Sequence, residues 1–139
     1  MSRTLAIGDI HGCLAALTTL EAFVSFRDDD QLITLGDYVD RGPDSRGVLN
    51  WLIERSTRCD LIALLGNHDA MMLQSREFGG GSWATLFGEE TLKSYADGGM
   101  GTVQDVPDSH WSFLEHECRL FYESPTHIFC HGTPNSEDR

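Results

Sequence analysis

Asp9 and His11 stand two residues apart, directly behind the apolar run Leu5-Ala6-Ile7 and its terminating Gly8. The same arrangement recurs. Asp37 follows Leu32-Ile33-Thr34-Leu35 and Gly36, and Asn67-His68-Asp69 follows Leu61-Ile62-Ala63-Leu64-Leu65 and Gly66. Carboxylates, imidazoles and a neutral amide oxygen are metal-ligand types, and this mixture suits Mn, Fe or Zn better than Ca or Mg. The chemistry open to such a set is hydrolysis of a phosphate ester, in which two cations about 3.5–4 Å apart activate a water and neutralise the phosphoryl oxygens. A bridging carboxylate is the natural way to hold cations that close. Asp37 is the candidate bridge, because it ends the middle-numbered run and has ligand residues from its neighbours on either side. Asp9 and His11 complete one ion, since an extended backbone points residues two apart to the same side. The leaving oxygen needs a proton, and His68, beside Asn67, is the candidate general acid. Such a His needs a carboxylate to orient it and keep it charged.

The elements that must position these groups are short. A strand that stops at Gly before a ligand residue projects side chains into the crevice at its carboxyl end. Strands are expected at Thr4–Ile7, Gln31–Leu35 and Asp60–Leu65. Between the first two, Cys13 to Phe26 reads as a helix with Leu14, Leu17, Leu20 and Val24 on one stripe. Between the second and third, a helix capped by Asp44 or Ser45 carries Val48, Leu49, Leu52 and Ile53. This is βαβαβ, hence an α/β fold with a mostly parallel sheet. Asp28-Asp29-Asp30 reads as a solvated turn, Ala70–Ser75 as a short helix and Gly79-Gly80-Gly81 as a flexible loop. Gly98, Gly99 and Gly101 mark a second mobile stretch, and Asp108-Ser109 is expected to cap a helix reaching Glu117. Strands Leu120–Glu123 and Thr126–Cys130 follow. Asp69 reads as a helix cap compatible with support of a neighbouring ligand, and His110 and His116 read as helix-surface residues. One domain over 1–133 is expected, with a polar, unstructured tail at 134–139.

The three clusters Gly8-Asp9-Ile10-His11-Gly12, Gly36-Asp37-Tyr38-Val39-Asp40-Arg41-Gly42 and Gly66-Asn67-His68-Asp69 resemble the signature of the calcineurin-like metallophosphoesterase superfamily, specifically its serine/threonine phosphoprotein phosphatase group. His131-Gly132 loosely matches a fourth element, so the resemblance runs from Thr4 to about His131. It implies a β-sandwich flanked by helices and two divalent metal ions, Mn or Fe being favoured and Zn an alternative. It implies that Asn67 and His131 serve the second ion, that Asp40 partners His68, and that Arg41, with Asn67 and His68, contacts the substrate phosphate. The guanidinium fork suits two phosphate oxygens. The implied activity is phosphomonoester hydrolysis, with a phosphoprotein or another phosphate ester as substrate. Symmetrical dinucleoside tetraphosphate hydrolases of the same superfamily share the Gly-Asn-His-Asp ending but typically carry Ala where Asp40 stands. A weakly active metal-binding fragment is the third reading. In the family a further metal-binding His and a second phosphate-binding Arg lie in a region past position 139. The sandwich is therefore expected to be incomplete at its C-terminal side and the second ion to be held more weakly.

Composition narrows the partners. The 139 residues carry a formal net charge of -12. That argues against nucleic acid, whose phosphates need clustered Lys and Arg. Bound cations reconcile an acidic chain with an anionic substrate, because they set the local sign themselves. Cys13, Cys59, Cys118 and Cys130 form no C-x-x-C pair and are expected to be reduced thiols of a cytoplasmic protein. No apolar run approaches the ~20 residues of a membrane span.

Overall fold

Three parallel strands carry the three motifs. In a computed structural model that describes residues 2–133, β1 (Thr4–Ile7), β2 (Gln31–Thr34) and β3 (Asp60–Ala63) pair in the order β1-β2-β3. The tail expected at 134–139 lies outside the described residues. The strands run in step: Ile7 faces Thr34, and Thr34 faces Ala63. Their carboxyl ends therefore share one edge, from which Gly8, Gly36 and Gly66 lead into the motif loops. The middle-numbered strand is also the middle strand in space. Leu32, Ile33 and Thr34 are fully buried, as required of a parallel strand covered on both faces.

Helices cover one face of this sheet. The first, α1 (Leu14–Val24), stops before the expected Phe26 because Ser25 turns left-handed at φ 54°. Its stripe is narrower than expected, with Leu17 buried but Leu20 exposed. The second, α2 (Ser45–Ser56), begins at the expected cap, where Asp44 accepts a hydrogen bond from the Gly47 N–H at 2.7 Å. Val48, Leu49 and Leu52 are fully buried and pack with Ile7, Leu17 and Met72. Each such side chain contributes about 1.5–3 kcal/mol by leaving water.

On the other face, Ile33, Ile62 and Leu64 pack against Tyr122 and Phe129. These belong to an antiparallel pair, β4 (Phe121–Glu123) and β5 (Ile128–Cys130). The expected α/β sandwich is thus present, its second sheet formed by two strands among the described residues. Past β3, Leu64 bridges to Arg119, which ties the chain leading to β4 to the first sheet.

Expectations are corrected at Asp30, in the Gly79–Gly81 stretch and at Asp108. Asp30 is not solvated: Arg3 grips both its oxygens, at 2.9 and 2.7 Å, and it is 1% exposed. The Gly79–Gly81 region is not an open loop. Gly81 starts α4 (Gly81–Leu86), which buries Trp83, after α3 (Asn67–Ser75) and a short 3-10 turn. Asp108 does not cap α6 (Asp108–Ser112), because its carboxylate is turned to Arg76 at 3.3 Å. That helix then widens into a π turn at Phe113–Glu117.

His116 is exposed as expected, but His110 is 2% exposed. Its ring bonds to the Tyr95 hydroxyl and to Asn50 Oδ1, both at 2.7 Å. The carbonyl-type oxygen of Asn50 only accepts, so Nε2 donates, and burial keeps the ring neutral, so Nδ1 accepts from the Tyr95 hydroxyl. Burial, helped by the charge of Arg46, pushes its pKa down to about 4. The unfolded chain therefore takes up this proton first. Stability that is intact above about pH 6.5 is expected to fall as the pH drops toward 4, by about 2–3 kcal/mol. Urea midpoints at pH 7 and pH 4.5 should diverge less in His110→Gln than in the parent; equal divergence excludes this histidine as the source.

Candidate metal centre and active site

The motif loops are stitched together by backbone before any side chain contributes. The N–H groups of Ile10 and His11 both donate to the Asp37 carbonyl, at 3.0 and 2.9 Å, and Gly12 N–H donates to Tyr38. Gly42 N–H returns to the His11 carbonyl at 2.9 Å. Glycine is required where motif three meets motif two, since a Cβ on Gly66 would strike the Asp37 backbone nitrogen and side chain. Among the described residues, five non-glycine residues have positive φ, and four of them lie in the motifs: His11, Asp37, Asp40 and Arg41. Strain of this kind persists only where the surroundings over-determine it. His11 is left-handed rather than extended, yet Asp9 and His11 still reach the same side, with Asp9 Oδ2 3.8 Å from His11 Nε2.

Asp69 is the clamp between the loops. Its carboxylate accepts from the N–H groups of Asp37 (2.8 Å), Tyr38 (2.9 Å) and Gly66 (2.9 Å). The last is the helix-capping bond expected of it, and the other two extend its role into motif two. Burial raises this carboxyl to about 6 against the pull of those three donors. Asp69→Asn presents an NH₂ group to some of these N–H donors. It is expected to cost about 2–4 kcal/mol, because buried donors lose their acceptor, and this can be read from urea unfolding of the metal-free protein. A midpoint unchanged from the parent contradicts the clamp.

The ligand-type groups converge on Asp37. Asp37 Oδ2 lies 3.5 Å from His11 Nε2 and 3.5 Å from His131 Nε2. Asp9 Oδ2 is 3.8 Å from His11 Nε2, and its Oδ1 is 3.9 Å from His131 Nδ1. Two clusters with donor atoms within 4.8 Å of one another share Asp37: His11-Asp37-His68 and Asp9-Asp37-His131. Asp37, the expected bridge, is the residue common to both. The partition differs, since Asp9 groups with His131 as well as approaching His11.

Donor chemistry supports a cation here. His11 Nδ1 is 2.8 Å from the Val39 carbonyl, and His131 Nδ1 is 2.8 Å from the Leu35 carbonyl. A carbonyl only accepts, so each Nδ1 carries a proton, and Nε2 is the ring atom turned toward Asp37. His131 Nε2 also faces Asn67 Oδ1 at 3.0 Å. Imidazoles oriented through Nδ1 by a backbone carbonyl, with Nε2 turned toward carboxylate and amide oxygens, are the usual form of metal-binding His. Residues Asp9, His11, Asp37, Asn67 and His131 therefore fit a divalent metal pair.

Beside this cluster His68 Nδ1–H donates to Asp40 Oδ2 at 2.7 Å, and Asp40 is fully buried. Phe87 stands edge-on to the His68 ring at 5.6 Å. Arg41 is exposed, and among the described residues no side chain pairs with its guanidinium. It lines a cavity of about 260 Å³ together with His68, Thr85, Phe87 and Glu90.

The calcineurin-like phosphoesterase family model matches residues 2–137. The chain belongs to this family. It is 45% identical over 128 residues to a symmetrical bis(5'-nucleosyl)-tetraphosphatase of Pseudomonas putida, covering 90% of this chain and 40% of that protein. It is 34% identical over 135 residues to serine/threonine-protein phosphatase 1 of Salmonella typhimurium, covering 91% and 56% respectively. A crystal structure of a protein assigned as a diadenosine tetraphosphatase superposes with a TM-score of 0.69 at 30% identity, over 92% of this chain and 49% of that one. The chain thus spans about half the length of these relatives, or less. No helix among the described residues is long and apolar enough to cross a membrane, and no cysteine among them is in a disulfide.

Motif reading located every ligand-type residue of this cluster. It missed Trp83 and Thr91, whose Nε1–H and hydroxyl both bond to the Asp40 carboxylate. The one available signal was a large aromatic inside a glycine-rich stretch.

Proposed function

We propose that the protein is a metal-dependent phosphomonoester hydrolase acting on serine- or threonine-type phosphate esters. The observation that carries this reading is the buried Asp40–His68 pair, at 2.7 Å, beside the carboxylate–imidazole cluster. The residues to hold the cations are Asp9, His11, Asp37, Asn67 and His131, with Mn the favoured metal. When bound, the cations supply an activated water and neutralise charge on the phosphoryl oxygens.

The chain's own groups do the rest. Arg41, exposed at the rim and in no ion pair among the described residues, takes phosphoryl oxygens with its fork. Asn67 and His68 line the same phosphate position. His68 gives a ring proton to the leaving oxygen as the P–O bond breaks, and Asp40 holds the ring in direction. An alkoxide such as that of serine leaves poorly without a proton. A nucleotide phosphate leaves well without one. An oriented acid is therefore of greater use against a phosphoserine ester, and the resemblance at Asp40 points the same way.

The second reading is a symmetrical dinucleoside tetraphosphate hydrolase, favoured by the identity to the Pseudomonas putida relative. Comparing kcat/KM for a phosphoserine peptide and for diadenosine tetraphosphate in Mn decides between them. The first reading expects the peptide to be preferred and EDTA to abolish turnover. A preference for the dinucleotide establishes the second.

A further inference from the structure

We propose that Thr91 and Trp83 are positioning residues of the acid–base pair: they lock Asp40, and through it the direction in which His68 presents its proton. This rests on the reading of His68 as general acid given above.

Asp40 occupies an unusual place. It is 0% exposed, and both it and Arg41 are left-handed, at φ 70° and 69°. Two successive non-glycine residues stay there only if their neighbours hold them. Thr91, from α5 (Glu89–Ser94), supplies that hold with one hydroxyl. The Asp40 backbone N–H donates to Thr91 Oγ1 at 2.8 Å, and the hydroxyl donates to Asp40 Oδ1 at 2.8 Å. A hydroxyl has one proton, and here it goes to the carboxylate. The Ser45 hydroxyl, 3.1 Å away, is then the donor to Thr91. The Thr91 oxygen is saturated, and it fixes both the backbone turn and the side-chain rotamer of Asp40.

Trp83 fixes the other oxygen. Its Nε1–H donates at 3.0 Å to Asp40 Oδ2, the atom that accepts from His68 at 2.7 Å. With Oδ1 tied to Thr91 and Oδ2 to Trp83, the carboxylate cannot rotate without breaking a buried bond. The line from Oδ2 to the His68 ring is then set. Both bracing residues are buried, at 0% and 4% exposure, and lie 51 and 43 positions from Asp40.

A purely structural role would also satisfy a buried carboxylate, so the test needs readouts that such a role does not move. Thr91→Val keeps the shape and removes the hydroxyl, and Thr91→Ser keeps the hydroxyl. In Thr91→Val, turnover of an alkyl phosphate is expected to fall about tenfold or more, the scale of one hydrogen bond to a charged group. Turnover of nitrophenyl phosphate, whose leaving group needs little proton, is expected to fall less than about threefold. Bound Mn stays at the parent level, and Thr91→Ser stays within about threefold of the parent on both esters. In the metal-free protein, the proton resonance of His68 Nδ1–H is expected to move in Thr91→Val and to stay in Thr91→Ser. Trp83→Phe, which keeps a ring and removes the N–H, is expected to give the same signature at smaller size, and it carries the test if Thr91→Val does not fold. His68→Asn is the control. Without leaving-group dependence in that control the general-acid reading falls, and the resonance alone then judges the brace. With that dependence present, an unmoved resonance and equal loss on both esters in folded Thr91→Val overturn the positioning role.

Discussion

Asp37→Asn is expected to lower the affinity for divalent cations by more than about 100-fold. Groups that merely orient a metal ligand cost about 10–100-fold when removed, and Asp37 belongs to both ligand clusters. The fold should survive the change. Asn retains the oxygen that accepts the His68 backbone N–H at 3.0 Å, and it removes one of the carboxylates that crowd the site. The metal-free variant is therefore expected to be at least as stable as the metal-free parent. Adding Mn at about 100 times the parent's dissociation constant should stabilise the parent by about 2.7 kcal/mol and the variant by less than about 0.4 kcal/mol. Equilibrium dialysis and thermal melts with and without Mn check both halves. Parent-like stoichiometry and affinity in Asp37→Asn would show that another residue holds the ions together.

His68→Asn carries the second large effect and separates acid from ligand. Turnover of an alkyl phosphate is expected to fall about 10²–10⁴-fold, the usual contribution of a positioned acid, while bound Mn remains near the parent level. The loss should shrink with a nitrophenolate leaving group. Asp40→Asn should show the same leaving-group pattern. An amide there cannot accept from His68, Trp83 and Thr91 together, because one of its two ends is a donor. Metal loss in His68→Asn equal to that in Asp37→Asn would reassign His68 as a ligand, a role compatible with its place in the His11-Asp37-His68 cluster.

How much of this was legible in the sequence depended on how local each feature is. The strands β1, β2 and β3 were visible because an apolar run that stops at glycine is a statement about consecutive residues. Parallel register then follows from βαβ connection, and it brings Asp9, Asp37 and Asn67 to one edge without further information. The cap at Asp44 reads over three positions, and it was found where expected. Asp30 and His110 were misread for the opposite reason. Each is a polar residue whose burial is decided by a partner far along the chain: Arg3 is 27 positions from Asp30, and Asn50 is 60 positions from His110. A charged or polar residue on a local pattern looks solvated until such a partner is known.

The candidate site divides along the same line. Sequence by itself determined which groups enter the cluster, because each sits a fixed few residues beyond a strand end. Only the tertiary structure decided how they are grouped and aimed. The Nε2 atoms of His11 and His131 are turned toward Asp37 because the carbonyls of Val39 and Leu35 hold the opposite ring nitrogens. The Asp40 carboxylate is fixed because Trp83 and Thr91 arrive from helices that contribute nothing to the carboxylate–imidazole cluster. A hydrogen bond depends on distances of a few tenths of an ångström and on the angle at the donor. Residue spacing along a chain carries that precision only within one turn or one strand, and beyond it the packing of whole elements sets the geometry.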